Sequence, residues 1–147
     1  MFPNKEAMVW FAVIMFIAGA LFGFATKCGF DESERGGMVE MHTNRWPWGL
    51  MVDIVTHGGR GLVCVSITDG EENKAWIHNI SVVDHCRRRG YGRQLMKLAE
   101  RKAKLLGCEM ALLRVDKGTF QEQWYRRLGF VECGHDDDGL VTLKKRL

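Results

Sequence analysis

Residues 87–92 of this sequence read Arg87-Arg88-Arg89-Gly90-Tyr91-Gly92. They lie between a β-rich apolar segment, residues 75–83, and a strongly helical one, residues 93–106. A strand, a basic loop with glycines and the start of a helix, in that order, predict an anion site, because the first N–H groups of a helix have no intrahelical partners. The two glycines have no Cβ, so the backbone can come close to a pyrophosphate. The simpler alternative is a basic turn that begins a surface helix.

The spacing of the loop narrows this choice. It differs from the dinucleotide fingerprint G-x-G-x-x-G and from the P-loop G-x-x-x-x-G-K-[ST]. It resembles the Q/R-x-x-G-x-G/A acetyl-CoA loop of the GNAT family of N-acetyltransferases, and residues 80–87 look like the end of that family's fourth strand. A second segment, WYRRLGF at residues 124–130, resembles the family's F-Y-x-x-x-G-F segment. The resemblance covers residues 61–147.

The resemblance implies a fold, a reaction and a set of site residues. The fold is α+β, with a mixed, mainly antiparallel sheet flanked by helices and with acetyl-CoA bound where the fourth and fifth strands splay. The reaction is transfer of an acetyl group from acetyl-CoA to an amine, on a small molecule or a protein. The N–H near Val82 is the implied oxyanion donor, and Tyr125 is the acid that protonates the departing thiolate. The implied cofactor-binding residues are Val82, Arg87, Arg88, Arg89, Gly90, Tyr91, Gly92 and Arg93.

Two departures from the family pattern concern the acceptor. The family places two helices between its first two strands, and residues 38–56 show no amphipathic pattern of that kind. Some members have a general-base glutamate on the fourth strand, where this chain has Trp76. The nearest titratable side chain on the same strand face is His78. A hydrogen-bonded strand histidine is the interpretation we favour for it, and no base is identified.

Apolar periodicity and turn residues predict the remaining elements. Thr119 and Glu122 form a capping box that begins a second helix, and Gly129 ends it. The first strands form an antiparallel meander. The predicted strands are residues 38–43, 50–56, 62–68, 75–83, 108–115, 130–133 and 140–143.

The composition and net charge of the chain argue against nucleic-acid binding. The chain has 147 residues, is 46% apolar and has a net charge of +3, which suits one core and gives no overall signature of nucleic-acid binding. Its positive charge is concentrated in residues 87–104, where a phosphate-rich cofactor and a solvated helix face account for it. We therefore expect no nucleic-acid partner.

The cysteines and the acidic cluster predict no metal site. Five cysteines, widely spaced and without a C-x-x-C pair, argue against disulfides and zinc and suggest a reducing compartment. Cys86, beside the loop, is expected to be an ordinary buried thiol. Residues 136–138 are three aspartates in a predicted hairpin, and such clusters more often form a solvated turn.

The N-terminal segment is the second strong signal. Residues 7–26 contain no charge, and a helix of that length spans about 30 Å, the thickness of a bilayer's hydrocarbon core. A transmembrane anchor is the favoured interpretation. The alternatives are a cleaved signal peptide and a buried helix or hairpin that completes the core. The predicted organisation is an anchor in residues 1–26, a linker in residues 27–37 and a transferase domain in residues 38–147.

The basic residues on either side of residues 7–26 predict the orientation of this segment in the membrane. Lys27, Arg35 and Arg45 follow the span and Lys5 precedes it, which predicts a single-pass protein with its domain in the cytoplasm.

Two rival functions are a non-catalytic acyl-CoA-binding module and a membrane-anchored interaction protein. The sequence does not reveal the acceptor, the acyl preference or the oligomeric state.

Overall fold

The computed structural model describes residues 39–56 and 59–147. In these ranges one seven-stranded sheet carries two α-helices, and the strands lie in the order β1-β2-β3-β4-β5-β7-β6. The strands are β1 (Val39–Trp46), β2 (Gly49–Thr56), β3 (Gly61–Thr68), β4 (Lys74–Val82), β5 (Met110–Asp116), β6 (Val131–His135) and β7 (Leu140–Arg146). The helices are α1 (Tyr91–Leu105) and α2 (Phe120–Arg127).

Strands β1 to β4 form the predicted antiparallel meander. β1 continues to Trp46, three residues beyond the predicted end, and a two-residue turn joins it to β2. No helix therefore lies between these two described strands, as residues 38–56 indicated. β5 begins at Met110 and not at Cys108, because the N–H of Cys108 still bonds to the carbonyl of Ala103 at the end of α1.

The sheet has two distinct faces. Both described helices pack on one of them, which we call the helix face. Its core contains side chains of the sheet, of α1 and of α2, among them Ile54, Val65, Leu95, Met96 and Tyr125. The other, which we call the opposite face, carries the alternate side chains of the same strands, among them Asp53, Cys64, Ser66, Trp76 and His78. No described helix packs on the opposite face.

The sheet opens between β4 and β5. These two strands are parallel and pair only from Lys74 with Met110 to Trp76 with Leu112. β4 nevertheless continues to Val82 and β5 to Asp116. The register of β4 against β3 shifts at a bulge, where Asn79 has φ of 54°. Bulges bend a strand and increase its twist, so the bulge directs the end of β4 away from β5. The predicted splay is present.

Residues 7–26 and 27–37 lie outside the described residues, and so do the predictions made for them. In residues 39–56 and 59–147 no helix is long and apolar enough to span a membrane. The four cysteines of these ranges are free thiols, and Cys86 is buried, as expected.

Candidate active site

The loop between β4 and α1 is held by its own short-range contacts. A single 3-10 turn, Asp84–Cys86, follows β4. The Arg87 side chain folds back: its Nε donates to the carbonyl of Val82 at 3.1 Å, and its guanidinium lies 2.9 Å from the Asp84 carboxylate. Arg88 then adopts a left-handed φ of 60°. The structure thus brings the side chain of Arg87 to the end of β4 at Val82.

The start of α1 presents a run of free backbone donors. Gly90 is the N-cap residue, with φ of 88°, and no side chain caps the helix. The six N–H groups from Arg88 to Arg93 donate to no acceptor in the described part of the chain; the first N–H in this helix to find one is that of Gln94. These donors coincide with the positive end of the helix dipole and with the exposed side chains of Arg88, Arg89 and Arg93. Such an arrangement suits a phosphate group.

Tyr91 takes part in this loop through its hydroxyl. Arg60, just before β3, donates from Nη1 to the Tyr91 hydroxyl at 3.0 Å. The contact ties the first turn of α1 to the connection between β2 and β3. It also adds a further cation beside the free N–H groups. Sequence reasoning did not identify Arg60, because the contact joins residues far apart in the chain.

The N–H of Val82 points into the splay. In an antiparallel ladder the bonded and unbonded positions alternate along each strand. Val83 donates to the carbonyl of Arg60 on the β3 side at 3.0 Å, so the N–H of Val82 faces the other edge of β4. By the same alternation the N–H of Ile80 faces that edge. Pairing with β5 has ended by this point, and both donors are available to a ligand.

Helix α2 lies against the start of α1. A Cβ added to Gly92 would stand 3.4 Å from the Trp124 ring, so the two helices approach closely there. Thr119 begins α2 as predicted: its Oγ1 accepts from the N–H of Glu122 at 3.3 Å. The Glu122 carboxylate accepts from the N–H of Gly118 at 2.6 Å. The predicted capping interaction is confirmed, although its return bond reaches Gly118 rather than Thr119.

Tyr125 follows Trp124 and is largely buried. Its ring packs edge-on against Phe130, with centroids 6.1 Å apart, and belongs to the core on the helix face. Its hydroxyl forms no hydrogen bond with another described residue. Burial raises the pKa of Tyr125 to about 12, so the phenol stays protonated at neutral pH.

His78 forms the hydrogen bond that we expected of it. Its Nε2 lies 3.1 Å from the Oγ of Ser66 on β3. Burial lowers the pKa of His78, and the Asp53 carboxylate opposes this effect. The imidazole is therefore mainly neutral at pH 7. Asp53 itself was not singled out in the sequence, since only the register of β2 and β3 shows that it faces these residues.

The acidic hairpin is a turn. The Oδ1 of Asp136 accepts from the N–H of Leu140 at 2.9 Å, and Asp137 and Asp138 are exposed. In the described ranges no group of three or more histidines, cysteines, aspartates or glutamates could hold a metal ion.

Comparison with known proteins identifies the family. The model of the "Acetyltransferase (GNAT) family" matches residues 11–130, and the chain therefore belongs to the GNAT family of acetyltransferases. The resemblance stated from the two motifs is confirmed. The matched range begins inside residues 7–26, the predicted anchor.

Solved structures share the fold. Nourseothricin acetyltransferase is 26% identical, and the match covers 68% of this chain and 66% of that chain with a TM-score of 0.56. PaiA N-acetyltransferase from Thermoplasma acidophilum, solved with coenzyme A, is 18% identical over 68% of this chain and 62% of that chain, with a TM-score of 0.56. IAA acetyltransferase from Bacillus cereus is 16% identical over 75% of this chain and all (100%) of that chain, with a TM-score of 0.57. The α+β architecture with a mainly antiparallel sheet is thus confirmed.

Proposed function

We propose that this protein is an N-acetyltransferase that transfers the acetyl group of acetyl-CoA to an amine. One observation carries the proposal: six N–H groups, from Arg88 to Arg93, have no acceptor among the described residues and lie at the start of α1 beside the splay of β4 and β5. The free donors suit the pyrophosphate of the cofactor, and the splay offers the pantetheine arm an edge of β4 with unused donors. Family membership supports the same reaction class.

The residues around the splay have separate roles in this proposal. Arg88, Arg89 and Arg93 add charge to the backbone site for phosphates. The amine attacks the thioester carbonyl, whose oxygen becomes negative and is stabilised by the N–H of Val82, with that of Ile80 as a neighbouring donor. The C–S bond then breaks, and Tyr125 donates a proton to the thiolate of coenzyme A. The high pKa of Tyr125 keeps the phenol protonated at neutral pH. Because a thiol has a lower pKa, about 8.5, proton transfer from the phenol to the thiolate is unfavourable unless the thiolate is held next to the hydroxyl.

A titration and a turnover assay test the proposal in sequence. Isothermal calorimetry of the full chain with acetyl-CoA should give a saturable heat that desulfo-CoA competes for. Release of free thiol in the presence of a panel of amines should then show turnover. Absence of acetyl-CoA binding would refute the assignment.

A second candidate is a non-catalytic acyl-CoA-binding module. The two-residue turn between β1 and β2 favours it, because the family's acceptor helices normally lie at that point of the chain. Such a protein would bind acetyl-CoA without releasing thiol for any amine. The third class, a membrane-anchored interaction protein, would show no acetyl-CoA binding.

We also propose a single-pass membrane location with the domain in the cytoplasm. The proposal rests on the uncharged residues 7–26 and on the basic residues that follow them. The family match, which begins at residue 11, supports the alternative that these residues complete the domain.

A further inference from the structure

A row of titratable side chains crosses the opposite face of the sheet. The register places His42 on β1 across from Asp53 on β2, Asp53 across from Cys64 on β3, and Cys64 across from His78 on β4. Directly opposed residues have Cβ atoms about 4.5–5.5 Å apart. The row is therefore continuous, and it ends at β4, the strand that borders the splay.

Asp53 is the unusual member of this row. It is only 9% exposed, and its Oδ1 is buried with no hydrogen-bond partner among the described residues. Its cross-strand neighbours, His42 and Cys64, carry no permanent positive charge. A carboxylate removed from water is costly unless a cation or enough donors compensate it. A buried oxygen without a partner calls for an explanation, and a bound cation is one that also balances the charge of the carboxylate.

The described neighbours of Asp53 supply a thiol hydrogen bond from Cys64 but no cation. Burial, and secondly the charge of the Asp53 carboxylate and its hydrogen bond with the thiol, raise the pKa of Cys64 far above its ordinary value, so the thiol stays neutral and donates to Asp53. Burial lowers the pKa of His78, so its imidazole is mainly neutral at pH 7. When Nε2 of His78 donates to Ser66, Nδ1 is left as a proton acceptor.

Asp53 and the splay are too far apart for a single amine group to contact both. Asp53 and His78 lie on strands two positions apart, and neighbouring strands are about 4.8 Å from each other. The splay, with the N–H of Val82, lies on the far side of β4. A nitrogen that contacts the Asp53 carboxylate therefore cannot also attack a thioester held in the splay.

We propose that the acceptor is a diamine or oligoamine with two nitrogens about 10 Å apart. Asp53 binds one of them as an ammonium group, and His78 receives a proton from the other, which attacks the thioester. The inference rests on the proposed function and names its substrate class. In the reaction the C–N bond forms and the C–S bond breaks. His78 takes the proton from the attacking nitrogen, the thiolate takes one from Tyr125, and exchange with water restores both groups.

Matched amines test this with the unaltered protein. The probes are the terminal diamine of octane, the monoamine octylamine, and the terminal diamine of propane, which is too short to reach both positions. A charge-assisted bond to a buried carboxylate should give the long diamine a kcat/KM about 10–100-fold above that of octylamine. The short diamine should gain no such advantage.

Variants then locate the effect. Asp53→Asn keeps the shape and removes the charge, and within this variant kcat/KM for the long diamine should fall to the value that the same variant shows with octylamine. The ratio of the two values is the readout, because the Asp53 charge also acts on the pKa of His78. Asp137→Asn makes the same chemical change on an exposed turn and should keep the preference. Equal kcat/KM for the two long amines, or a preference that survives Asp53→Asn, would overturn the proposal. Acetyl-CoA binding distinguishes this failure from failure of the proposed function, because only the latter removes the calorimetric signal.

A pH profile tests His78. The charged or titratable groups that the register places on the same face of the described sheet lie in its row and on the flanking strands, among them Cys64, Asp53, His42, Glu40, Lys74, Arg114, Lys144 and Arg146. Because a base must be neutral, kcat/KM for octylamine should fall as pH falls through a pKa below the ordinary 6.5. His78→Gln should remove this acidic limb and lower kcat, with acetyl-CoA affinity unchanged. If His78→Gln still loses kcat/KM at low pH in the same way, another group titrates there and His78 is not the base.

Discussion

At the scale of single residues, Gly90 combines a conformational requirement with a predicted binding role. Its φ of 88° is one that side chains rarely adopt, and a Cβ there would meet nothing within 4 Å. Space for a side chain is therefore available, and the cost of a substitution comes from the backbone and from any ligand that approaches it. These two costs can be separated.

Gly90→Val should abolish detectable acetyl-CoA binding in calorimetry, because the Cβ blocks the approach of pyrophosphate to the loop. Gly107→Val is the matched control, since Gly107 also has φ of 88° and open space but follows the far end of α1. Both variants should lose stability by a similar amount, measured by urea unfolding. Wild-type affinity in folded Gly90→Val would contradict the cofactor assignment.

Gly92→Val should also abolish binding, for a partly different reason. A Cβ at this position would stand 3.4 Å from the Trp124 ring as well as near the cofactor. The branched side chain would press α1 away from α2. Gly92→Ala, which adds the Cβ alone, shows in the same calorimetric titration how much of the loss is due to the approach of the ligand.

Tyr125 is the residue on which the proposed chemistry depends most. Tyr125→Phe should lower kcat by roughly 10²–10⁴-fold, the usual range for a lost general acid. The ring keeps its packing against Phe130, so acetyl-CoA affinity should change little. Steady-state kinetics and calorimetry on the same preparation separate the two effects. Wild-type turnover would leave Tyr125 as a core residue and the proton donor as water.

At the scale of elements, the beginning of α2 determines where Tyr125 lies. The Thr119 hydroxyl accepts from Glu122 and donates to the carbonyl of Asp116 at 2.7 Å, and it thereby joins β5 to α2. The Glu122 carboxylate accepts from Gly118 and pairs with Arg126, and these contacts hold the pKa of Glu122 below its ordinary value. One short segment thus fixes the helix on the strand that forms one side of the splay.

Thr119→Ala should lower the free energy of unfolding by about 1 kcal/mol, the usual value of an N-cap. Thr119→Ser retains the hydroxyl and should remain within a few tenths of a kcal/mol of the wild type. Urea unfolding followed by tryptophan fluorescence measures both. An unchanged midpoint in Thr119→Ala would mean that Glu122 alone holds the end of the helix.

The elements show which parts of this protein could be predicted from its sequence. Local signals were sufficient for the meander, for the loop before α1 and for the cap at Thr119, because each depends on residues close together in the chain. The splay followed only from the family resemblance, since the bulge at Asn79 leaves no local pattern. The row through Asp53 could not be predicted, because it depends on the register of three strand pairs.

At the scale of the whole molecule, the proposed cofactor-binding and acceptor-binding groups lie on different faces of the sheet. The free donors of α1 and the ring of Tyr125 belong to the side that the helices cover. The row from His42 to His78 lies on the other side, and β4 is the strand that both share. An acceptor bound on one face and a thioester held in the splay would therefore meet at β4 without competing for the same space.

The last prediction concerns how the molecule is attached in the cell. Full-length protein should sediment with membranes and resist carbonate extraction, because 20 uncharged residues supply enough apolar surface for stable insertion. Ile17→Arg places a charge at the middle of residues 7–26 and, at a cost of about 2.5–3.5 kcal/mol for insertion, should move protein into the carbonate-soluble fraction. Leu21→Ala keeps the segment apolar and should remain in the membrane. If the wild type is instead soluble and monodisperse without detergent, residues 7–26 complete the domain core, and Ile17→Arg should then lower stability in urea because the charge would be buried in that core.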